Sequence, residues 1–283
     1  MLSLFSKNYG DDFMFDNILT TQEFFSLSLR KLYALNDYSF YRMSRFEDYD
    51  FYAAYKDFLC SNNILTFTEP SGTLKALRPD VTLSIIKNAK PGKYCYAENV
   101  YRVPHNSNAF REFPQTGIEN LGCAREKISE VLTLAVKSLE LVSGGRRISL
   151  SIADAGEVLR LSEGYDKNEI INCLAAKNLH GLKELHAPEE LISLAEDDGN
   201  SAQTPHQKGR ISEIMQSLHG FKDYIHADYS AVSKLMYYDG IVFKGYIDGV
   251  PFDVLSGGEY SVMGKSGAGF AVYLDRIEAE NHD

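Results

Sequence analysis

The 283-residue sequence predicts an α+β fold, and three stretches predict it. Residues 94–122 alternate on either side of a Pro-His-Asn-Ser-Asn loop, as a long hairpin does. Ile128–Val142 carries apolar residues at helical spacing and stops at Ser143, Gly144 and Gly145, a good helix end. Residues 237–277 return to strands with glycine-rich turns and close on a helix. At 44% hydrophobic, the chain is long enough for one large or two modest domains with a buried core.

In order, residues 13–35 read as a helix, with Ile18, Phe24, Phe25, Leu27, Leu29 and Leu32 at helical spacing and Asp16 or Thr20 as its cap. A strand follows at 38–43. Alternation up to Phe67 and again over Leu74–Leu77 brackets a Pro70-Ser71-Gly72 turn, giving a second hairpin. Its product, LRPDVT, leads into a short helix over 83–88 that Asp80 or Thr82 would cap. On the central hairpin a period of two puts Arg111, Gln115 and Glu119 on one face of the return strand and Pro114 and Ile118 on the other. Glu98 and Arg102 share a face of the outgoing strand. Ile148–Asp154 reads as a strand with Ala155–Leu161 helical behind it. From about 165 to 220 the chain is helical and polar, interrupted by a stretch of linker composition, EDDGNSAQTPHQKG, and reads as an inserted segment.

Two uses fit the polar face of the central hairpin. Arginines beside the loop could grip phosphates or carboxylates in fork geometry, and Gln115 with Glu119 could read an amine or imidazole. An antiparallel hairpin also shows a polar face to water with no ligand at all. Spacing alone favours the second.

Composition narrows the classes. A net charge of -10, a pI near 5.2 and no run of clustered Lys or Arg disfavour a nucleic-acid partner, whose affinity rests on neutralising cations. Cys60, Cys95, Cys123 and Cys173 form no CxxC pair, so neither a zinc framework nor a disulfide pattern is read, and a reducing cytoplasm fits. His180, His186, His206 and His219 sit at no metal spacing. GKSGAG lacks the eight-residue order of a P-loop. No window approaches a membrane span, and no metal or cofactor is expected.

The hairpin segment YRVPHNSNAFREFPQTGIENLG resembles the second signature motif of class II aminoacyl-tRNA synthetases, above all of histidyl-tRNA synthetase. LRPDVT resembles that family's LRPEGT, and residues 237–277 resemble its YYTGxVFE, GGRYD and third-motif segments in the right order. The resemblance implies a mixed, mainly antiparallel sheet flanked by helices, with residues 1–283 as one class II core, a helical insertion at about 165–220 and no anticodon-binding domain. It implies that Asp80, Thr82, Gln115, Glu119 and Tyr237 or Tyr238 line a histidine-sized pocket, and that Arg102, Arg111 and Arg276 are remnants of nucleotide binding. The region 38–51 is similar to the family's dimer-forming first motif, with Ser44 in place of the usual proline.

Several positions depart from an active synthetase. Pro104 stands at the glutamate of the second motif, Ser233 at the catalytic arginine and Met236 at the following aspartate. GGRYD becomes Gly257, Gly258, Glu259, Tyr260 and Ser261, with one charge inverted and another lost. The pattern is similar to the regulatory-subunit family of ATP phosphoribosyltransferase, a synthetase paralogue. That likeness implies a non-catalytic chain that assembles with a short-form catalytic subunit in the first step of histidine biosynthesis, helps mediate histidine feedback and pairs with itself as a homodimer. The alternatives are a minimal class II amino-acid-activating ligase, supported by Asp80, Arg102, Glu119 and Arg276, and an adaptor for an unrelated enzyme.

Overall fold

Thr20 starts the first helix by a reciprocal cap: its hydroxyl accepts from the Glu23 amide at 3.2 Å, while the Glu23 carboxylate accepts from the Thr20 amide at 2.8 Å. Helix α1 (Thr21–Ala34) is followed by β1 (Ser39–Phe40), shorter than the expected strand because the chain turns away after Phe40 to form β2 (Phe46–Asp48) and α2 (Tyr49–Ala54). The structure, a computed structural model, describes residues 18–59, 63–104, 107–122, 127–196, 209–232 and 238–278. The candidate cap Asp16 and residues 13–17 of the expected helix lie outside them, and Ile18 to Thr20 are not helical.

The second hairpin is β3 (Thr66–Thr68) and β4 (Leu74–Leu77), and α3 (Val81–Asn88) follows it. Then come the central hairpin β5 (Gly92–Arg102) and β6 (Arg111–Leu121), α4 (Ile128–Val142), β7 (Ile148–Asp154) and α5 (Ala155–Leu161). The expected helical segment holds α6 (Lys167–Ala175), α7 (Leu179–Glu184), α8 (Glu189–Glu196) and α9 (Arg210–Ser217). The chain continues through β8 (Ile225–Ala227), β9 (Tyr238–Ile247), β10 (Leu255–Val262), β11 (Lys265–Tyr273) and α10 (Leu274–Glu278).

Eight strands form one sheet in the order β1-β5-β6-β11-β10-β9-β7-β8. The six inner strands pair antiparallel, and β1 and β8 add to the two edges in parallel. The fold is therefore a mixed, mainly antiparallel sheet flanked by helices. A smaller sheet, β2-β4-β3, stands beside it.

Each face of the large sheet has its own core. Ile118, Phe243 and Phe270 meet α1 and α4 on one side, where Tyr33 of α1 packs edge-on against Phe270 at 5.9 Å and bonds Ser138 of α4 at 3.0 Å. Helices α6 to α9 bury Ile170, Leu174, Leu182, Leu191 and Ile214 in that same core, so this polar-looking segment is amphipathic and docked. On the other side Tyr96 and Tyr260 meet Leu83, Ile85 and Ile86 of α3 and Tyr52 of α2. The polar face of β6 thus lies between sheet and helix, and from Gln115 to Leu121 every residue of the strand is buried. Among the described residues no helix is long and apolar enough to cross a membrane, and no group of three or more His, Cys, Asp or Glu could hold a metal ion.

Candidate functional site

Arg78 precedes Pro79, which holds the chain extended before α3 begins. Its guanidinium is fully buried and donates to the Ser44 carbonyl at 2.7 Å, Glu98 at 2.7 Å and the Asn99 carbonyl at 3.0 Å, tying the small sheet to β5. Asp80 caps α3 by accepting from the Leu83 amide at 2.8 Å. Its other oxygen lies 3.4 Å from Arg102, whose Nε donates to the Pro79 carbonyl at 2.6 Å. One turn of chain is therefore held from both sides, and Thr82 of α3 is brought down onto β6. Its hydroxyl donates to Glu119 at 2.6 Å.

Glu119 is the centre of the arrangement. Tyr260 of β10 donates to its second oxygen at 2.7 Å, and the intervening strand β11 makes room with glycine: a Cβ on Gly269 would lie 2.3 Å from that oxygen. Burial pushes the Glu119 carboxyl up to about 7, against the hydrogen bonds from Thr82 and Tyr260 and with a further push from Asp80. Burial also raises Asp80, against the pull of Arg102. A buried carboxyl pushed up beside a second raised carboxyl is the kind of pair that gathers at functional sites.

These groups enclose one cavity of about 30 Å³, with Tyr96, Gln115, Tyr238, Ser256 and Tyr273 around it. A larger hollow of about 560 Å³ lies between the β3–β4 hairpin and Val103, Asn108 and Phe110, but its lining, which includes Ile64, Thr66 and Leu74, brings no charged group to bear. The smaller cavity is the better candidate because its polar groups converge. Two carboxyls, an amide and several phenols against one guanidinium make an acceptor-rich site suited to an ammonium or imidazolium. Both Glu119 oxygens already accept from the Thr82 and Tyr260 hydroxyls, so an amino-acid ligand that takes over one of these oxygens has to part Thr82 or Tyr260 from Glu119.

Of the residues singled out in the sequence, Asp80, Thr82, Gln115, Glu119, Tyr238 and Arg102 meet at this cavity. Tyr237, Ser233 and Met236 lie outside the described residues. Arg111 is exposed at the far end of β6, opposite Arg102 in the ladder. Arg276 turns to Asp253, 2.9 Å away, and stacks on Tyr273, so it touches the cavity wall from outside. Tyr96 and Tyr260 were not among the expected site residues; their place in the alternation of β5 and β10 opposite glycines is the signal that could have found them.

Glu259 faces away from the cavity. It sits where the β9–β10 register shifts, accepts from the Ile241 amide at 2.7 Å and is clamped by both terminal nitrogens of Arg210. The inverted charge of the GGEYS segment is thus consumed within the protein, by the first residue of α9.

Residues 23–277 match the family model of histidyl-tRNA synthetase. Curated relatives named ATP phosphoribosyltransferase regulatory subunit include one from Thermoanaerobacter pseudethanolicus, 29% identical over 76% of this chain and 67% of its own length. Another, from Clostridium novyi, is 26% identical over 96% of this chain and 76% of its own length. Among solved structures, an ATP phosphoribosyltransferase regulatory subunit/histidyl-tRNA synthetase from Bacillus halodurans superposes with a TM-score of 0.75 at 22% identity, covering 96% of this chain and 83% of that one. A chain of an ATP phosphoribosyl transferase complex from Thermotoga maritima gives 0.69 at 19% identity, covering 89% and 97%. The matched span takes in the whole sheet, α3 and every described residue of the cavity, and the chain belongs to the histidyl-tRNA synthetase family.

Proposed function

We propose that this chain is the regulatory subunit of a hetero-oligomeric ATP phosphoribosyltransferase: it has no catalytic step of its own, assembles with and activates the short-form catalytic subunit, and helps mediate histidine feedback. The observation that carries the reading is a contrast of charge. The acceptors suited to an amino group are kept at Asp80, Thr82 and Glu119, while the GGRYD arginine is replaced by Glu259, which Arg210 occupies. The names of the relatives support the same reading.

Histidine is the ligand we assign to the cavity, with Asp80, Thr82, Gln115, Glu119, Tyr238 and Tyr237 as its partners and Arg102, Arg111 and Arg276 as remnants of nucleotide binding. We read residues 1–283 as one class II core carrying a helical insertion, paired as a homodimer through the region 38–51, and working in the cytoplasm. Feedback requires that histidine bind one state of the complex better than another. Opening the Thr82–Glu119–Tyr260 set supplies such a difference.

Reconstitution tests the proposal. Phosphoribosyl-ATP formation is measured with the catalytic subunit alone, with this chain, and with this chain plus histidine. Activation on mixing and suppression by histidine are expected; no co-elution and no change in rate would sink the reading. A minimal amino-acid-activating ligase is the second reading, favoured by Arg102 facing the cavity. Histidine-dependent pyrophosphate exchange above a no-enzyme blank would establish it. Light scattering decides the dimer, and a monomer at micromolar concentration would remove that part.

A further inference from the structure

The GKSGAG segment matches no phosphate loop, yet three of its residues shape the cavity. The β10–β11 connection is a tight turn with Met263 at φ +57° and Gly264 at φ +69°, so Lys265 begins β11 in a fixed position opposite Val262. The ammonium of Lys265 crosses to α3 and donates to the carbonyls of Ile86 at 2.5 Å and Ala89 at 3.1 Å. These are carbonyls at the end of the helix that has Asp80 as its N-cap and Thr82 in its first turn. Gly267 then leaves room for the Tyr260 phenol, which a Cβ would approach to 2.6 Å, and Gly269 leaves room for Glu119.

One hairpin therefore carries Tyr260, accommodates Glu119 and grips the far end of the helix that carries Thr82. Helix α3 is only eight residues long, and such a helix owes its place to its tertiary anchors more than to its own propensity. We propose that Lys265 is a positioning residue: by holding the C-terminal end of α3 it sets the height of the helix over the sheet, and so the Thr82–Glu119 hydrogen bond and the width of the cavity. Only the ligand arm of the test below rests on the histidine reading.

The first arm needs no ligand. In the full chain labelled with 13C at glutamate carboxyls, and with the Glu119 signal identified by its loss in Glu119→Gln, the titration midpoint of Glu119 is followed. The charged and titratable groups around it are Asp80, Arg102, Tyr96, Tyr238, Tyr260 and Tyr273. In Lys265→Met the Thr82 hydroxyl is no longer held on Glu119, a contact that favours the ionised form is lost, and the midpoint rises by about half a unit. Lys265→Arg restores it. Lys93→Met, which breaks an ion pair with Glu130 away from the cavity, leaves it in place. If Lys265→Met does not fold, Lys265→Gln is titrated instead. A midpoint equal to the parent's in a folded Lys265→Met or Lys265→Gln overturns the proposal, since a lysine that merely adds stability would not move it. In the second arm, calorimetry with histidine shows binding weakened roughly fivefold in Lys265→Met and unchanged in Lys93→Met. Unchanged affinity in Lys265→Met counts against the proposal. A parent that binds no histidine overturns the pocket assignment, and the titration still decides the role of Lys265.

Discussion

The phenol of Tyr260 donates to Glu119 over 2.7 Å although 141 residues separate them, and Glu119 takes its second bond from Thr82 on a helix above the sheet. Tyr260→Phe removes one donor without changing the shape of the core. We expect a loss of stability of about 1 kcal/mol by urea denaturation, and a Glu119 midpoint moved further above about 7, since the lost bond is one that held it down.

The raised carboxyl makes stability depend on pH in a defined direction. Glu119 titrates near 4.5 in the unfolded chain and at about 7 when folded, so between those values the folded state holds the extra proton. The contribution is fully present below pH 4.5 and is lost as pH rises to about 7, amounting to about 3 kcal/mol at most. Asp80 acts in the same direction. Urea denaturation of the parent and of Glu119→Gln across this window measures it, and the variant should show the flatter profile.

Arg210→Met leaves the buried Glu259 carboxylate with the Ile241 amide but without its cation. Because Arg210 is 26% exposed, the expected loss lies below that of a fully buried pair, about 2–3 kcal/mol. Glu259→Gln should be milder, since the amide still accepts from Ile241. A double-mutant cycle read by urea denaturation gives the coupling, and additive losses would show that the pair is not held together in solution.

Arg78→Lys should behave almost as badly as Arg78→Met. Three acceptors lie at the points of a planar fork, at the Ser44 and Asn99 carbonyls and at Glu98, and an ammonium does not reach them together. Each variant should lose about 3–5 kcal/mol, by thermal or urea unfolding. A Lys variant as stable as the parent would contradict this.

Gly269→Ala places a methyl 2.3 Å from the Glu119 carboxylate and 2.4 Å from the Ile118 carbonyl, with backbone on one side and a pinned side chain on the other. Overpacking of this kind costs about 1–3 kcal/mol. Histidine affinity in calorimetry should fall with it, if the cavity binds histidine.

Where the sequence carried a strong period, the elements were legible. Residues 128–142 and 148–161 fall where spacing put them, and the β5–β6 hairpin follows its aromatic and β-branched alternation. The small sheet was only half visible: β2 is the three residues Phe46–Asp48, too short for alternation to register. The polar face of β6 looked solvent-facing because a period of two says which residues share a side and not what covers that side. Gln115 and Glu119 were legible as one polar face from the period of two, and Asp80 and Thr82 from the resemblance of LRPDVT, whereas the contacts of Tyr260 and Lys265 depend on which strand lies beside which. The Arg210–Glu259 pair joins helix α9 to a strand 49 residues on, and no local pattern announces it.

The pairing of β6 with β11 has a consequence for synthesis. One edge of Gln115 through Leu121 pairs at once with Gly92 through Glu98, but the other edge finds its partners only in Gly267 through Tyr273, about 150 residues further on. While the ribosome is still making the middle of the protein, β6 is an open sheet edge, and Glu119 faces neither Gly269 nor Tyr260. The cavity therefore cannot close until β10 and β11 have been made. Loops closed over some 150 residues are slow to form, so a nascent or truncated chain that has its first hairpin but not its last strand is the form most exposed to pairing with a neighbour.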